Sequence, residues 1–223
     1  MDEAKFYKNN EPSTGFCALI YRCTKKSMKG GTALEAEQEA ELVRRMKQGD
    51  RAAFDKLYEQ YYDRLYRTAC MITGSRTDGE DVTQETFIKA YLNCDKLKKD
   101  ELFRYWIYQI LNRTAWQIAK KHAKERPEEH IMELADTSTA DSPANRILQD
   151  EQGRTLTEAI RRLEYRQRMT IILYYYNELG TREIAKVMGC MEGTVKSRLF
   201  TARKNLRSQL ETEIQMEGAY EGQ

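Results

Sequence analysis

Proline and glycine are scarce in this chain, at 3 and 12 of 223 residues. A turn-rich sheet architecture uses more of both, so their scarcity favours helices. The five cysteines (Cys17, Cys23, Cys70, Cys94 and Cys190) make an odd count with no CxxC pair. That argues against a disulfide framework and for a reducing, cytoplasmic setting. A structural zinc site ordinarily draws about four ligands at close spacing. Only Cys17 and Cys23 form a candidate half-site, and no metal is expected. His122 and His130 flank a charged stretch and read as solvated. No apolar run approaches the roughly 20 residues needed to cross a bilayer. The run at 16–21 is too short for a signal-peptide core and is followed by Arg22, so no membrane insertion is expected. Paired carboxylates in a plausible site, a phosphate-cradling glycine loop and a Ser–His or Cys–His arrangement are all missing. The chain therefore reads as a non-enzyme with no cofactor.

What remains is polar and helical. Hydrophobic residues make up 40% and charged residues 32%, enough for modest cores beneath a very polar surface. Phe54, Leu57, Tyr58, Tyr61, Leu65 and Ala69 recur at three- and four-residue steps and so share one helix face. The Gly74–Ser75 pair ends that helix, and Asp78 stands before a second run in which Val82, Phe87, Ile88 and Tyr91 share a face. A third run carries Trp106, Ile107, Ile110 and Leu111 into the basic end Lys120–Lys121. Helices joined this way pack most simply as a bundle.

Formal net charge is only +2, but it is unevenly distributed. Residues 127–152 hold two of the three prolines and seven acids against one arginine, Arg146. So polar and broken a stretch reads as a linker between two domains. From Arg161 to Arg207 the sign reverses, with eleven basic residues against four acidic ones, and the apolar positions are again helically spaced. The predicted organisation is all α: a flexible extension over 1–35, a helical bundle over 36–126, the acidic linker over 127–152, a second helical domain over 153–212 and a tail over 213–223.

Residues 181–199 carry the sharpest pattern. Thr181 is placed to cap a helix with Glu183 in its first turn, the charge favoured at a positive helix end. Ile184, Ala185 and Met188 face inward, and Gly189 supplies the left-handed stop. A second helix follows with Val195, Leu199 and Ala202 on its buried side. A short helix, a turn containing glycine and a second helix make a helix-turn-helix. Its exposed face is expected to hold Glu192, Thr194, Lys196, Ser197, Arg198, Arg203 and Lys204. Such residues contact base edges and phosphates when a recognition helix lies in the DNA major groove.

These residues resemble a known family. Thr181-x-Glu183-Ile184-Ala185, followed by Gly189 and then Glu192-Gly193-Thr194-Val195-Lys196-Ser197-Arg198, is similar to the region-4 domain of extracytoplasmic-function (ECF) sigma factors of the sigma-70 family. The string from Gly49 to Tyr61 resembles the family's first conserved helix. Asp78-Gly-Glu-Asp81-Val-x-Gln84-Glu85-x-Phe87-Ile88-x-Ala90-Tyr91 resembles region 2.2, and Phe103-x-x-Trp106-Ile107-x-x-Ile110 resembles the start of region 2.4. The resemblance covers roughly 36–212 and implies an alternative sigma factor that binds core RNA polymerase and recognises −35 and −10 promoter elements. A helix-turn-helix regulator acting without polymerase is the competing reading.

The resemblance implies specific roles. Asp78, Asp81, Gln84 and Glu85 would bind a coiled coil of the polymerase β′ subunit, with a further contact to the β subunit. Lys98 and Lys99 would rim a pocket for an unpaired −10 base, with Asn112, Arg113, Trp116, Lys120 and Lys121 following on a helix. Trp116 is the stacking candidate and Trp106 is expected in the core. Arg182 joins the −35 reader. An anti-sigma protein is a further implied partner. Gln117, the order Asn112–Arg113, Met191 and Thr201 depart from the family's usual pattern. Without a serine cap at 191, the recognition helix forgoes a contribution of about 1 kcal/mol.

Overall fold

The structure, a computed structural model, describes residues 33–125 and 151–220. The expectations for most of the N-terminal extension, for nearly all of the acidic linker and for the Cys17–Cys23 half-site fall outside these residues. Among the described residues all regular structure is helical.

The N-terminal module consists of α1 (Ala33–Lys47), α2 (Arg51–Thr73), α3 (Arg76–Leu92) and α4 (Phe103–Glu125). Asp50 starts α2, its Oδ1 accepting from the backbone N–H groups of Ala52 at 3.0 Å and Ala53 at 3.3 Å. Leu57, Tyr61, Leu65, Ala69 and Ile72 form the buried stripe of α2. Gly74 ends the helix at φ 77°, and its N–H donates to the Cys70 carbonyl at 2.8 Å. Ser75 caps the next helix by accepting from the Asp78 N–H at 3.2 Å, so Asp78 lies inside the first turn of α3 instead of before it.

Small residues let α2 and α3 approach closely. A Cβ added at Gly79 would sit 2.4 Å from Cys70 Sγ and 3.1 Å from Cys70 N. Burial there pushes the Cys70 thiol up to about 11. The link to α4 is two single turns, Cys94–Lys96 and Asp100–Leu102, anchored by buried Leu97. Lys47 clamps it, donating to the Leu97 carbonyl at 2.6 Å and to the Asp100 carboxylate.

The C-terminal module comprises α5 (Glu151–Arg161), α6 (Tyr165–Ile171), α7 (Thr181–Met188) and α8 (Glu192–Tyr220). Ile172–Tyr176 prolong α6 as a wider π-helical turn, and the chain then reverses at Glu178, whose φ is 50°. Five successive residues are buried here, Met169, Thr170, Ile171, Ile172 and Leu173. Helix α8 continues past residue 212, the expected domain end, to Tyr220. The residues after 212 include good helix formers and no proline to stop it.

The two modules are packed against each other, and their buried residues form one continuous hydrophobic cluster. Two separate cores were expected. They merge because α4 offers a second face to α6 and α7. Asn177, fully buried, sits at the centre of that contact. Its Oδ1 accepts from Tyr108 Oη at 2.6 Å, its Nδ2 donates to Thr68 Oγ1 at 3.1 Å, and its carbonyl accepts from Arg104 Nη2 at 2.8 Å.

Candidate nucleic-acid interface

Helices α7 and α8 form the expected helix-turn-helix, but its caps differ from expectation. Gly180 is the N-cap of α7, and Thr181 is its first residue, buried. Glu183 reaches back to accept from the Gly180 N–H at 2.7 Å, the acid's half of a capping box, while the threonine hydroxyl takes no part in the cap. The threonine hydroxyl instead donates to Glu192 Oε1 at 2.9 Å, across the turn. Gly189 stops α7 at φ 62°, and α8 begins three residues later.

Glu192 organises the start of the recognition helix. Lys196 Nζ lies 2.8 Å and Arg182 Nε 3.2 Å from its carboxylate. The hydrogen bond from Lys196, then that from Thr181, holds its carboxyl down from the ordinary 4.5 to about 2. A carboxyl depressed in the folded state adds stability above its unfolded pKa and loses that contribution as pH falls toward the folded one. The gap in thermal midpoint between the parent chain and Glu192→Gln is thus expected to be full at neutral pH. It should close as pH falls from about 4.5 to about 2. A gap unchanged across that window in a pH series of melting curves refutes the assignment.

The outer face of α8 is narrower than expected. Lys196, Ser197 and Lys204 are exposed. Arg198 is half-buried, with Nη1 at 3.6 Å from Cys190 Sγ. Arg203 is also half-buried: its Nε donates to Tyr175 Oη at 2.9 Å, and its guanidinium lies over the Tyr174 and Tyr175 rings. Both arginines were expected on the open face, but they sit on its flanks, where their stems cover apolar surface. Thr194 is half-buried. Sequence reasoning missed Phe200, which is 71% exposed. Its spacing, four residues after Lys196 and four before Lys204, was the available signal, since it places all three on one stripe.

A second exposed basic region lies on and before α4. Lys98, Lys99, Arg113, Lys120 and Lys121 are exposed. Trp116 is 44% exposed, with one side against Tyr165 at 4.8 Å between ring centroids. Asn112 is half-buried, its carbonyl accepting from Tyr165 Oη at 3.1 Å. Trp106 is half-buried against Phe103 at the core's edge instead of within it. Two surface hollows are described below, and neither is lined by Lys98 or Lys99.

Those hollows flank the outer face of α3, where Asp81, Gln84, Glu85 and Ile88 are all exposed along one stripe. Of the four residues expected to share one face here, Val82 and Phe87 are buried and the other two are not. Ile88 is 53% and Tyr91 42% exposed, and Leu92 reaches 72%. The reason is helical phase: Thr83, Thr86, Phe87 and Ala90 already occupy the buried stripe, which turns positions 88 and 91 outward. One hollow of about 370 Å³ is lined by Phe54, Tyr58, Phe87, Ile88, Tyr91 and Leu92 among others. The other, about 360 Å³, lies toward α4, where Lys89 Nζ is 3.2 Å from both Glu85 Oε1 and Thr114 Oγ1. Asp78 is half-buried, one turn before this stripe. Among the described residues no group of His, Cys, Asp or Glu is placed to hold a metal ion, and no helix is long and apolar enough to cross a membrane.

Comparison with known proteins matches both modules. Residues 57–125 match sigma-70 region 2, and residues 153–206 match sigma-70 region 4. The chain is 33% identical over 180 residues to the ECF RNA polymerase sigma-E factor of Haemophilus influenzae, covering 76% of this chain and 94% of that protein. It is 32% identical over 180 residues to the ECF RNA polymerase sigma factor SigW of Bacillus subtilis, covering 75% and 94%. In fold it resembles CnrH, solved in complex with the cytosolic domain of CnrY, with a TM-score of 0.58 at 23% identity over 78% of this chain and 97% of that one. The sigma factor RpoE of Bartonella quintana, solved with the anti-sigma factor NepR, gives the same TM-score and identity over 71% and 96%. With both sigma-70 regions present in order and close relatives matched over nearly their whole length, the chain belongs to the ECF sigma factors of the sigma-70 family, alternative sigma factors that serve RNA polymerase in transcription initiation.

Proposed function

We propose that this sigma factor divides its work among three surfaces. The α3 stripe of Asp81, Gln84 and Glu85, continued by Ile88, Tyr91 and Leu92, docks on the β′ coiled coil of core polymerase, with Asp78 supporting its first turn. Lys98, Lys99, Asn112, Arg113, Trp116, Lys120 and Lys121 engage the −10 element, the cations on phosphates and Trp116 as a stacking platform. Arg182, Glu192, Thr194, Lys196, Ser197, Arg198, Arg203 and Lys204, with Phe200, form the −35 reader. Glu192, Arg198 and Arg203 act by orienting the others. Within this division residues 36–126 act as region 2 and 153–212 as region 4, with the β subunit as a further contact. The chain works in the cytoplasm as a non-enzymatic subunit.

The observation that carries this reading is the exposed apolar strip at Ile88, Tyr91 and Leu92 beside the acids of α3. A regulator that binds DNA alone has no use for it, whereas a subunit that docks on a large partner does. An anti-sigma protein would compete for the same strip, in keeping with CnrH and RpoE having been solved with CnrY and NepR. Run-off transcription with purified core polymerase tests the reading. Specific initiation that requires the protein supports it, and tight promoter binding without core, with no stimulation of core, refutes it.

Phe200 supplies an apolar contact of the kind that reads a thymine methyl in the major groove. Phe200→Ala is expected to reduce run-off from a responsive promoter several-fold. Thermal stability should stay within about 0.5 kcal/mol, because the side chain is 71% exposed. A large drop in melting temperature, or unchanged promoter use, contradicts this.

A further inference from the structure

We infer that the N-terminal segment 16–29 covers the apolar hollow between α2 and α3 in the free chain, until a larger partner displaces it. The hollow sits at one end of an aromatic ladder. Phe54, Tyr58, Tyr62 and Tyr66 recur at every fourth residue of α2, with successive ring centroids 6.5, 5.1 and 6.0 Å apart. From α3, Ile88, Tyr91 and Leu92 complete the wall, and all three are exposed. Asp63, Glu80, Asp81 and Glu85 are exposed around ladder and hollow. Burial raises the Tyr62 pKa, and the charges of Tyr58, Glu80 and Asp63 add to the rise, which places both acids beside the ladder. Lys89, paired with Glu85 at 3.2 Å, offsets part of this negative charge.

A cover for such a surface has to combine apolar bulk with positive charge. Residues 12–34 hold four cations, Arg22, Lys25, Lys26 and Lys29, and no acid. The run at 16–21, with Phe16, Leu19, Ile20 and Tyr21, leads directly into them. The apolar side chains fill the hollow, while the cations pair with the acids and lie over tyrosine faces. A second copy of the chain fits less well, because a symmetric pair through this face sets like acids against one another.

The segment is also tied within reach. A short turn folds α1 back along α2, and Tyr61 Oη donates to Glu39 at 2.6 Å. Helix α1 starts six residues before Glu39, about 9 Å further along its axis. Tyr58 and Phe54 lie about 5 and 10 Å from Tyr61 in the opposite direction. Residues 22–32 reach at most about 36–40 Å when extended, which exceeds the sum of those offsets. Tethering makes the capture intramolecular, at an effective concentration in about the millimolar range. Competition with core polymerase rests on the docking role proposed above for α3, whereas occupation of the hollow does not. Where both hold, the apparent affinity for core is lowered to the fraction of chains left uncovered.

The experiment uses the full chain with the photo-crosslinking residue benzoylphenylalanine in place of Leu92. An equal mixture of light and heavy-isotope chains, mapped by mass spectrometry, separates contacts within one chain from contacts between copies. The expected product joins position 92 to residues 16–22 of the same chain. Leu19→Asp with Ile20→Asp is expected to reduce that product at least about five-fold through lost apolar burial. Lys25→Glu with Lys26→Glu should reduce it about two-fold or more through lost pairing. With Leu92 retained, the Leu19→Asp, Ile20→Asp chain is expected to bind core about three- to ten-fold more tightly than the parent. A product found only between copies, no product with residues 16–22, or one that survives Leu19→Asp with Ile20→Asp overturns the proposal. Loss of the product with core affinity unchanged instead overturns the docking role given to α3 and leaves the cover in place.

Discussion

Replacing Ile88 with glutamate is expected to weaken binding to core polymerase by about 30- to 1000-fold, the about 2–4 kcal/mol of a central interface residue. The side chain is 53% exposed on the α3 strip, so folding stability should change by only about 0.5 kcal/mol. Its neighbour gives the opposite pattern. Phe87 is only 4% exposed and packs against Tyr58 at 4.5 Å between ring centroids. Phe87→Ala is expected to cost about 3–5 kcal/mol of stability. Titration of each variant against core, read beside its melting curve, separates docking from folding. If Ile88→Glu binds core as the parent does, the strip is not the docking surface and Asp81, Gln84 and Glu85 lose their apolar support.

The second large effect lies where α2 and α3 touch. Alanine is ordinarily about 1 kcal/mol better than glycine inside a helix. At Gly79 that sign reverses, because the added Cβ would lie 2.4 Å from Cys70 Sγ and 3.2 Å from Cys70 Cα. Gly79→Ala is expected to be about 1–3 kcal/mol less stable, a fall of roughly 2–12 °C in melting temperature for a chain of this size. Cys70→Ala should restore part of the loss by removing the sulfur, though the backbone contact remains. Gly193→Ala is the control: a Cβ there meets nothing within 4 Å, so the change should raise stability by up to about 1 kcal/mol. A Gly79→Ala chain as stable as the parent would refute this helix contact.

Much of this was legible in the residues because the signals are local. Gly74 and Gly189 were recognisable as helix stops, and both adopt left-handed geometry, at φ 77° and 62°. The three-to-four spacing of Phe54, Leu57, Tyr58, Tyr61, Leu65 and Ala69 marked one helix face, of which Leu57, Tyr61, Leu65 and Ala69 are buried, Phe54 is half-buried and Tyr58 is exposed. Local pattern misled where two residues compete for one role. Thr181 and Glu183 can each cap a helix start. Only the position of Glu192 across the turn decides that the threonine hydroxyl is spent there. Likewise Phe87, Ile88 and Tyr91 are all apolar, and the phase of α3 against α2 is what sends two of them outward.

The sequence by itself determined the all-helical class, the helix-turn-helix and the family, because helix periodicity, capping and turn chemistry act over a few residues and family motifs are contiguous strings. Only the tertiary structure decided that Arg203 is engaged by Tyr175, that Trp116 lies against Tyr165, and that Asn177 joins the two modules through Thr68 and Tyr108. Those partners are separated by 28 to 109 positions along the chain. A short-range pattern carries no record of which distant side chain will satisfy a polar group. That pairing is settled by how the helices pack and by the cost of leaving the group buried alone.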